Sequence, residues 1–282
     1  MNKWIMTVLA VAAAGTIQAK QLDNPDENTL WMEDGKEIVL SPSPGFKRWL
    51  VIPGKKDLEI KSNEAGKGFS FYAKDGSGRY TVTRVKVSPE YPYLTFRITN
   101  IEMLKGYRNW TVFFEGFFSS AQITSPQKGI FIFDMYKNLP EKAFNTKAAY
   151  LYFTLYHLGL NFEYIKMVKK PAYVVRAECA DAEIKPGSKV KFTAELAKEA
   201  EDVSITLTTA GQPRPVKLNG ALKIQLKPTD KTQKVWTTEI EVKSIGIAKA
   251  FRRHNLFMKM DVLGGELDEP VWVGLPYPFL PK

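Results

Sequence analysis

Cysteine and histidine are nearly missing from this 282-residue chain, which holds one Cys179 and two histidines, His157 and His254. A single thiol cannot close an intramolecular disulfide, and two separated histidines leave little material for a zinc site or a histidine-based catalytic centre. A Gly-x-Ser-x-Gly elbow, a His-Glu-x-x-His helix, a phosphate-binding loop and a dinucleotide fingerprint are also absent. Neither cofactor nor metal is expected. Long apolar runs are just as scarce. Met1–Ala19 carries Lys3, an apolar stretch from Trp4 to Ala14 and a small residue at Ala19. That is the pattern of a secretory signal peptide, too short to span a bilayer comfortably, and no cysteine lies near the cut to carry a lipid. The remaining sequence has no second run long enough to cross a membrane. The expectation is an exported chain starting near Lys20, periplasmic or extracellular, with no transmembrane segment once processed.

What is present is ample core material. The sequence is 44% hydrophobic, 12% aromatic and 25% charged, which excludes a disordered or collagen-like chain. The length suits two ordinary domains of roughly 150 residues each. Aromatic content divides them: residues 20–170 hold 26 Phe, Trp and Tyr, and residues 171–282 hold 8. A boundary is expected at Lys169–Lys170–Pro171, where two charges and a proline follow the apolar run Tyr164–Val168. The expected organisation is a signal peptide (1–19), a leader and first strand region (20–39), and two β-sandwiches at 40–170 and 171–282.

Nearly every periodic segment alternates with period two, the mark of antiparallel strands. In the first half these are Leu58–Ile60, Phe69–Phe71, Tyr80–Val82, Leu94–Ile98, Val112–Phe114 and Ile130–Ile132. In the second they are Tyr173–Val175, Val190–Ala194, Val203–Leu207, Leu222–Leu226, Val235–Val242, Phe257–Val262 and Val271–Val273. Seven short strands in the second half fit an immunoglobulin-like sandwich, although the Cys–Trp–Cys core of antibody domains is absent. Ser244–Arg253 is the one segment expected to turn as helix. Tyr91–Ile98 is similar to an inner strand of the galactose-binding-like jelly roll found in carbohydrate-binding modules. The pair Ala149–Tyr156 and Asn161–Lys166, with Gly159 between, is similar to that fold's last hairpin. The resemblance implies an all-β jelly roll over 40–170 and carries over no ligand residues, because such modules place them in variable loops.

Chemistry narrows the choices further. Glycan hydrolysis needs two carboxylates facing one cleft. Glu239 and Glu241 share a strand face beside lysines, and Glu266, Asp268 and Glu269 crowd a turn, so both groups read as solvated. Glu115 and Asp134, each flanked by aromatics, are the candidates for a hydrolase or lyase. His157 and His254 read as structural, and Cys179 as a buried, inert thiol. Sugar binding instead needs flat rings beside planar polar groups. Lys105–Gly106–Tyr107–Arg108–Asn109–Trp110 offers that mixture, making Tyr107, Arg108 and Trp110 the expected ligand-binding residues unless the two rings cap the core. Trp236 and Trp272 read as core.

The formal net charge is +10, spread over both halves. Outside the cell such a surface favours acidic glycans and other envelope polymers, and dispersed lysines do not suit nucleic acid. The favoured reading is thus non-catalytic binding of an acidic polysaccharide. The alternative is a structural or assembly protein of the envelope, docking a protein partner through the Pro-rich tail Leu275–Pro281.

Overall fold

The computed structural model describes residues 37–39, 49–51, 58–62, 68–73, 77–85, 90–104, 109–114, 121–123, 128–134, 149–181, 184–209, 215–246, 256–263 and 270–274. The expected signal peptide and leader, to residue 36, and the Pro-rich tail lie outside them. Among the described residues every regular element is a strand, and the fold is all-β. The first half supplies β1 (Glu37–Val39), β2 (Trp49–Val51), β3 (Leu58–Ser62), β4 (Phe69–Ala73), β5 (Ser77–Val85) and β6 (Tyr93–Met103). It continues with β7 (Asn109–Phe114), β8 (Ala121–Ile123), β9 (Gly129–Asp134), β10 (Ala149–Tyr156) and β11 (Leu158–Val168). The second half supplies β12 (Val174–Cys179), β13 (Lys189–Glu195), β14 (Asp202–Thr209), β15 (Pro215–Leu218) and β16 (Lys223–Gln225). After these come β17 (Lys227–Pro228), β18 (Val235–Glu241), β19 (Ile245–Gly246), β20 (Leu256–Leu263) and β21 (Val271–Gly274).

These strands make three sheets. The longest runs β19-β15-β14-β20-β21-β9-β6-β11-β4-β3, with β1 on β11 and β16 on β14. A five-stranded sheet has the order β2-β5-β10-β7-β8, and a four-stranded one the order β12-β13-β18-β17. The expected boundary at Lys169–Lys170–Pro171 falls in the connection between β11 and β12. The long sheet nonetheless joins strands from both sides of it, because β21 lies parallel to β9 with Val271 opposite Ile130 and Val273 opposite Ile132.

The sequence of β9, Gly-Ile-Phe-Ile-Phe-Asp, explains the joint. All of its residues but the last are buried, so it has no wet face and its two side-chain rows enter different cores. Phe131 and Phe133 belong to an aromatic core between the long and five-stranded sheets. There the ring centres of Phe131 and Phe96 are 5.0 Å apart, and Phe96 meets Phe153 at 5.2 Å. Phe71 and Phe162 complete the cluster at 5.1 Å. Ile130 and Ile132 point the other way, into an aliphatic core with Val190, Phe192, Val203, Ile205, Trp236, Val271 and Val273. Trp272 returns to the aromatic side, stacking on Phe131 at 6.1 Å and donating from Nε1 to the Lys128 carbonyl at 2.9 Å. Gly129 opens β9 with φ +123°, and a Cβ there would stand 2.2 Å from the Pro270 carbonyl oxygen.

Three expectations need correction. Ala149–Tyr156 and Asn161–Lys166 are not a hydrogen-bonded hairpin: β10 pairs with β5 and β7, whereas β11 pairs with β4, β6 and β1. The chain turns a corner between sheets at His157, which adopts φ 46°, and Phe153 then faces Phe162 across the core at 5.3 Å. Ile245–Gly246, inside the segment read as helical, is a strand paired with Lys217 and Leu218 of β15; residues 247–253 lie outside the described ones. Cys179 is half-buried rather than buried, because it sits at the end of β12, where the four-stranded sheet has its edge.

On the outer face of the long sheet, Tyr72 lies flat over Gly159, its Cδ2 2.5 Å from where a Cβ would be. Lys61 Nζ sits 4.8 Å above that ring. The ring thus covers a gap in β11 that glycine leaves. Tyr93, at the start of β6, packs against the aliphatic core beside Asp134, its partner on β9. Burial raises the phenol pKa of both tyrosines above 10.0, Glu102 adding to the effect at Tyr72 and Asp134 at Tyr93.

Gly129→Ala is expected to cost about 1–3 kcal/mol from backbone conformation alone, read by thermal or urea unfolding; no change would mean that the β9–β21 entry is not tight. Gly159→Ala is expected to destabilise the native chain but to be tolerated together with Tyr72→Ala; equal cost in both backgrounds would remove the ring from the account. Because the folded pKa values of Tyr72 and Tyr93 are raised, their contribution is complete below pH 10.0 and is lost as pH rises through the folded values. Tyr72→Phe with Tyr93→Phe should therefore flatten the alkaline arm of a stability–pH profile, and an unchanged arm would contradict this.

Candidate functional site

The expected site residues do not come together. Tyr107 and Arg108 lie outside the described residues. Trp110 is described and is wholly buried, which corrects its place among the ligand-binding residues in favour of the alternative that its ring belongs to the core. It faces inward on β7, edge-on to Phe96 at 5.9 Å and Phe131 at 5.1 Å, and 24° from parallel with Phe153. Its indole N–H finds no acceptor among the described residues. The strand alternation that sends Val112 inward sends Trp110 inward too.

The other candidates scatter. Glu115, His254, Glu266, Asp268 and Glu269 lie outside the described residues. Asp134 is half-buried at the end of β9 opposite Tyr93. Glu239 and Glu241 are exposed on β18 and stand opposite Lys191 and Lys189 of β13. That is a solvated charged face. Trp236 and Trp272 are core, being 3% and 5% exposed. Among the described residues no group of three His, Cys, Asp or Glu side chains could hold a metal ion.

A concave site exists elsewhere. A groove of about 310 Å³ lies between the outer face of the long sheet and the β11–β12 connection. Its floor is Thr95 of β6, Ile130 and Ile132 of β9, and Tyr164, Lys166 and Val168 of β11; Lys170, Pro171, Ala172 and Tyr173 form its far wall. The floor comes from register. Lys166 stands opposite Thr95, which stands opposite Ile132, so one row of side chains crosses three strands.

A bulge makes that row possible. Phe162 of β11 points into the aromatic core, and strict alternation would send Tyr164 and Lys166 after it. The register shifts between Phe162 and Tyr164 and leaves Glu163 unpaired, so Ile165 and Met167 take the core positions and Tyr164, Lys166 and Val168 turn outward. Arg97 of β6 holds the bulged Glu163 at 2.5 Å.

The groove has a consistent chemistry. Its tyrosines are half-buried, its aliphatic floor is buried, and its lining includes two lysines and no carboxylate. Lys166 Nζ lies 4.7 Å from the Tyr164 ring centre. The neighbouring lysines diverge: Lys169 turns away to Glu90 at 2.7 Å, and Lys170 faces the groove with Glu195 of β13 at 3.7 Å. The volume falls at the small end of ligand pockets, roughly 300–1,000 Å³, and admits a compact polar ligand or one unit of a polymer.

In the sequence Lys169–Pro171 reads as a boundary, and no local motif marks these residues as a site. The available signal was the three-residue step from Phe162 to Ile165 in a strand otherwise stepping by two.

No family model matches the chain, and no curated protein matches it. Solved structures that the chain matches weakly include the glycoside hydrolase domain of Endo-D from Streptococcus pneumoniae, at 10% identity and a TM-score of 0.28, covering 80% of this chain and 37% of that one. A DUF4785 family protein from Legionella pneumophila is 11% identical with a TM-score of 0.25, covering 80% of this chain and 68% of that one. A glycosyl hydrolase family 2 member from Bacteroides cellulosilyticus is 8% identical with a TM-score of 0.23, covering 85% of this chain and 36% of that one. The chain thus spans little more than a third of either hydrolase chain, and the neighbours are glycoside-hydrolase-associated and other β-rich proteins.

Proposed function

We propose that this chain is an exported, non-catalytic binding protein for an acidic glycan at or outside the cell envelope, and that the groove beneath the β11–β12 connection is its site. The observation that carries the reading is the lining: Tyr164 and Tyr173 beside Lys166 and Lys170, over an aliphatic floor. Aromatic rings meet the apolar C–H faces of a sugar, and ammonium groups meet its hydroxyls and acid groups. The absence of a carboxylate from this lining leaves the groove without the pair of carboxylates that glycan hydrolysis uses. In the same reading residues 40–170 form a jelly-roll sandwich and residues 171–282 an immunoglobulin-like one.

The test is affinity electrophoresis of residues 20–282 through gels holding neutral or acidic polysaccharides, at low and high salt. Selective retardation by an acidic polymer is expected, with Tyr173→Ala and Lys166→Gln each weakening apparent affinity about five-fold or more, as loss of an anchor worth over 1 kcal/mol would do. Retardation by every polyanion, erased by salt and indifferent to both substitutions, would assign the effect to net charge. No retardation at all would overturn the reading and favour assembly through protein contacts.

A further inference from the structure

The ion pairs flanking the groove are unequal, and the inequality singles out Lys170. Lys169 is fixed twice, by Glu90 at 2.7 Å and by the Tyr91 ring at 5.1 Å. Lys170 stands 3.7 Å from Glu195 Oε2, beyond hydrogen-bonding distance, with its side chain 74% exposed. Glu195 is better placed, at 29% exposure, and its other oxygen accepts a hydrogen bond from Arg176. The carboxylate therefore keeps a cationic partner whether or not Lys170 stays. An exposed, separated pair of this kind contributes about 0–1 kcal/mol.

Resting on the glycan reading above, we propose that Glu195 is an internal competitor for the Lys170 ammonium and holds down the affinity of the groove for anionic sugars. In the empty groove Glu195 holds the Lys170 ammonium. A carboxylate or sulfate on the ligand takes that ammonium over, while Arg176 retains Glu195. A neutral hydroxyl offers no charge with which to displace the carboxylate, so a ligand without an acid group binds without Lys170, and Glu195 lowers affinity for the formal anions that take that ammonium. Glu195 acts here through Lys170 and does not itself touch the ligand.

The experiment measures dissociation constants of the full exported chain for backbone-matched polymers: dextran and dextran sulfate, methyl-esterified and de-esterified pectin, hydroxyethylcellulose and carboxymethylcellulose. Glu195→Gln should tighten binding of the retained acidic polymer about two- to five-fold, the equivalent of up to about 1 kcal/mol, and leave its neutral counterpart unretained. In a Lys170→Met background the same substitution should have no effect, since the two residues act as a pair. Equal tightening in both backgrounds would mean general repulsion or a released Arg176, and would overturn the proposal, as would unchanged or weaker binding by Glu195→Gln. Lys223→Gln with Lys243→Gln, two exposed lysines elsewhere, should not reproduce the loss caused by Lys170→Met; equal loss would also overturn it. If Glu195→Gln lowers the melting temperature, Lys170→Met alone decides, by weakening the acidic polymer several-fold or by failing to. A silent Glu195→Gln in a chain that still binds its polymer defeats this inference alone, whereas a native chain that binds no polymer defeats the glycan reading with it.

Discussion

Strand β9 has no solvent side, and the molecule is arranged around that constraint. A six-residue segment that alternates isoleucine and phenylalanine must bury both rows, and one sandwich can cover only one of them. The aromatic row packs against Trp110 and Phe153 of the five-stranded sheet. The aliphatic row packs with Val190, Phe192 and Trp236 of the four-stranded sheet. The parallel pairing with β21 holds the two cores in one continuous sheet. Parallel strands are ordinarily buried on both faces, and here each face is buried by a different partner.

The groove follows from this arrangement. Where the four-stranded sheet covers Ile130 and Ile132, the outer face of the long sheet passes from open to closed, and the β11–β12 connection runs along the transition. Tyr164 and Lys166 lie on the open side because a bulge re-aims them. Lys170 and Tyr173 lie on the connection, opposite them. The site residues thus come from the floor of one sandwich and the link to the next. The same joint brings Glu195 and Arg176 of the second half to the rim.

Much of the architecture was legible in the chain. Alternating Leu94–Phe96–Ile98, Val190–Phe192–Ala194 and Val203–Ile205–Leu207 mark strands because a half-buried sheet permits no other period. Less legible was the partnership of strands. Ala149–Tyr156 and Asn161–Lys166 look like a hairpin in one dimension, since the same alternation serves a paired turn and a corner between sheets; only the left-handed backbone at His157 separates them. The doubly apolar run in β9 signalled burial on both faces without naming what buries them.

The candidate site was less legible still. Trp110 beside Arg108 and Tyr107 has the composition of a sugar site, yet the alternation of Trp110 with Val112 already placed its ring inside. Composition identified a chemistry that the strand phase then denied. Conversely, Tyr164, Lys166, Lys170 and Tyr173 belong to two unremarkable segments on either side of a proline. They become one lining only when the bulge at Glu163 reverses the phase of β11 and the connection folds back over it. Local sequence carries neither fact.

The dependence of both cores on β9 is tested most directly by scanning calorimetry of the native chain beside Phe131→Ala and Ile132→Ala, one substitution in each core. The expected result is a single cooperative transition that each substitution shifts as a whole, with a calorimetric enthalpy matching the van't Hoff value. Two transitions, one moved by Phe131→Ala and the other by Ile132→Ala, would show the sandwiches to be energetically separate and would contradict the shared-strand account.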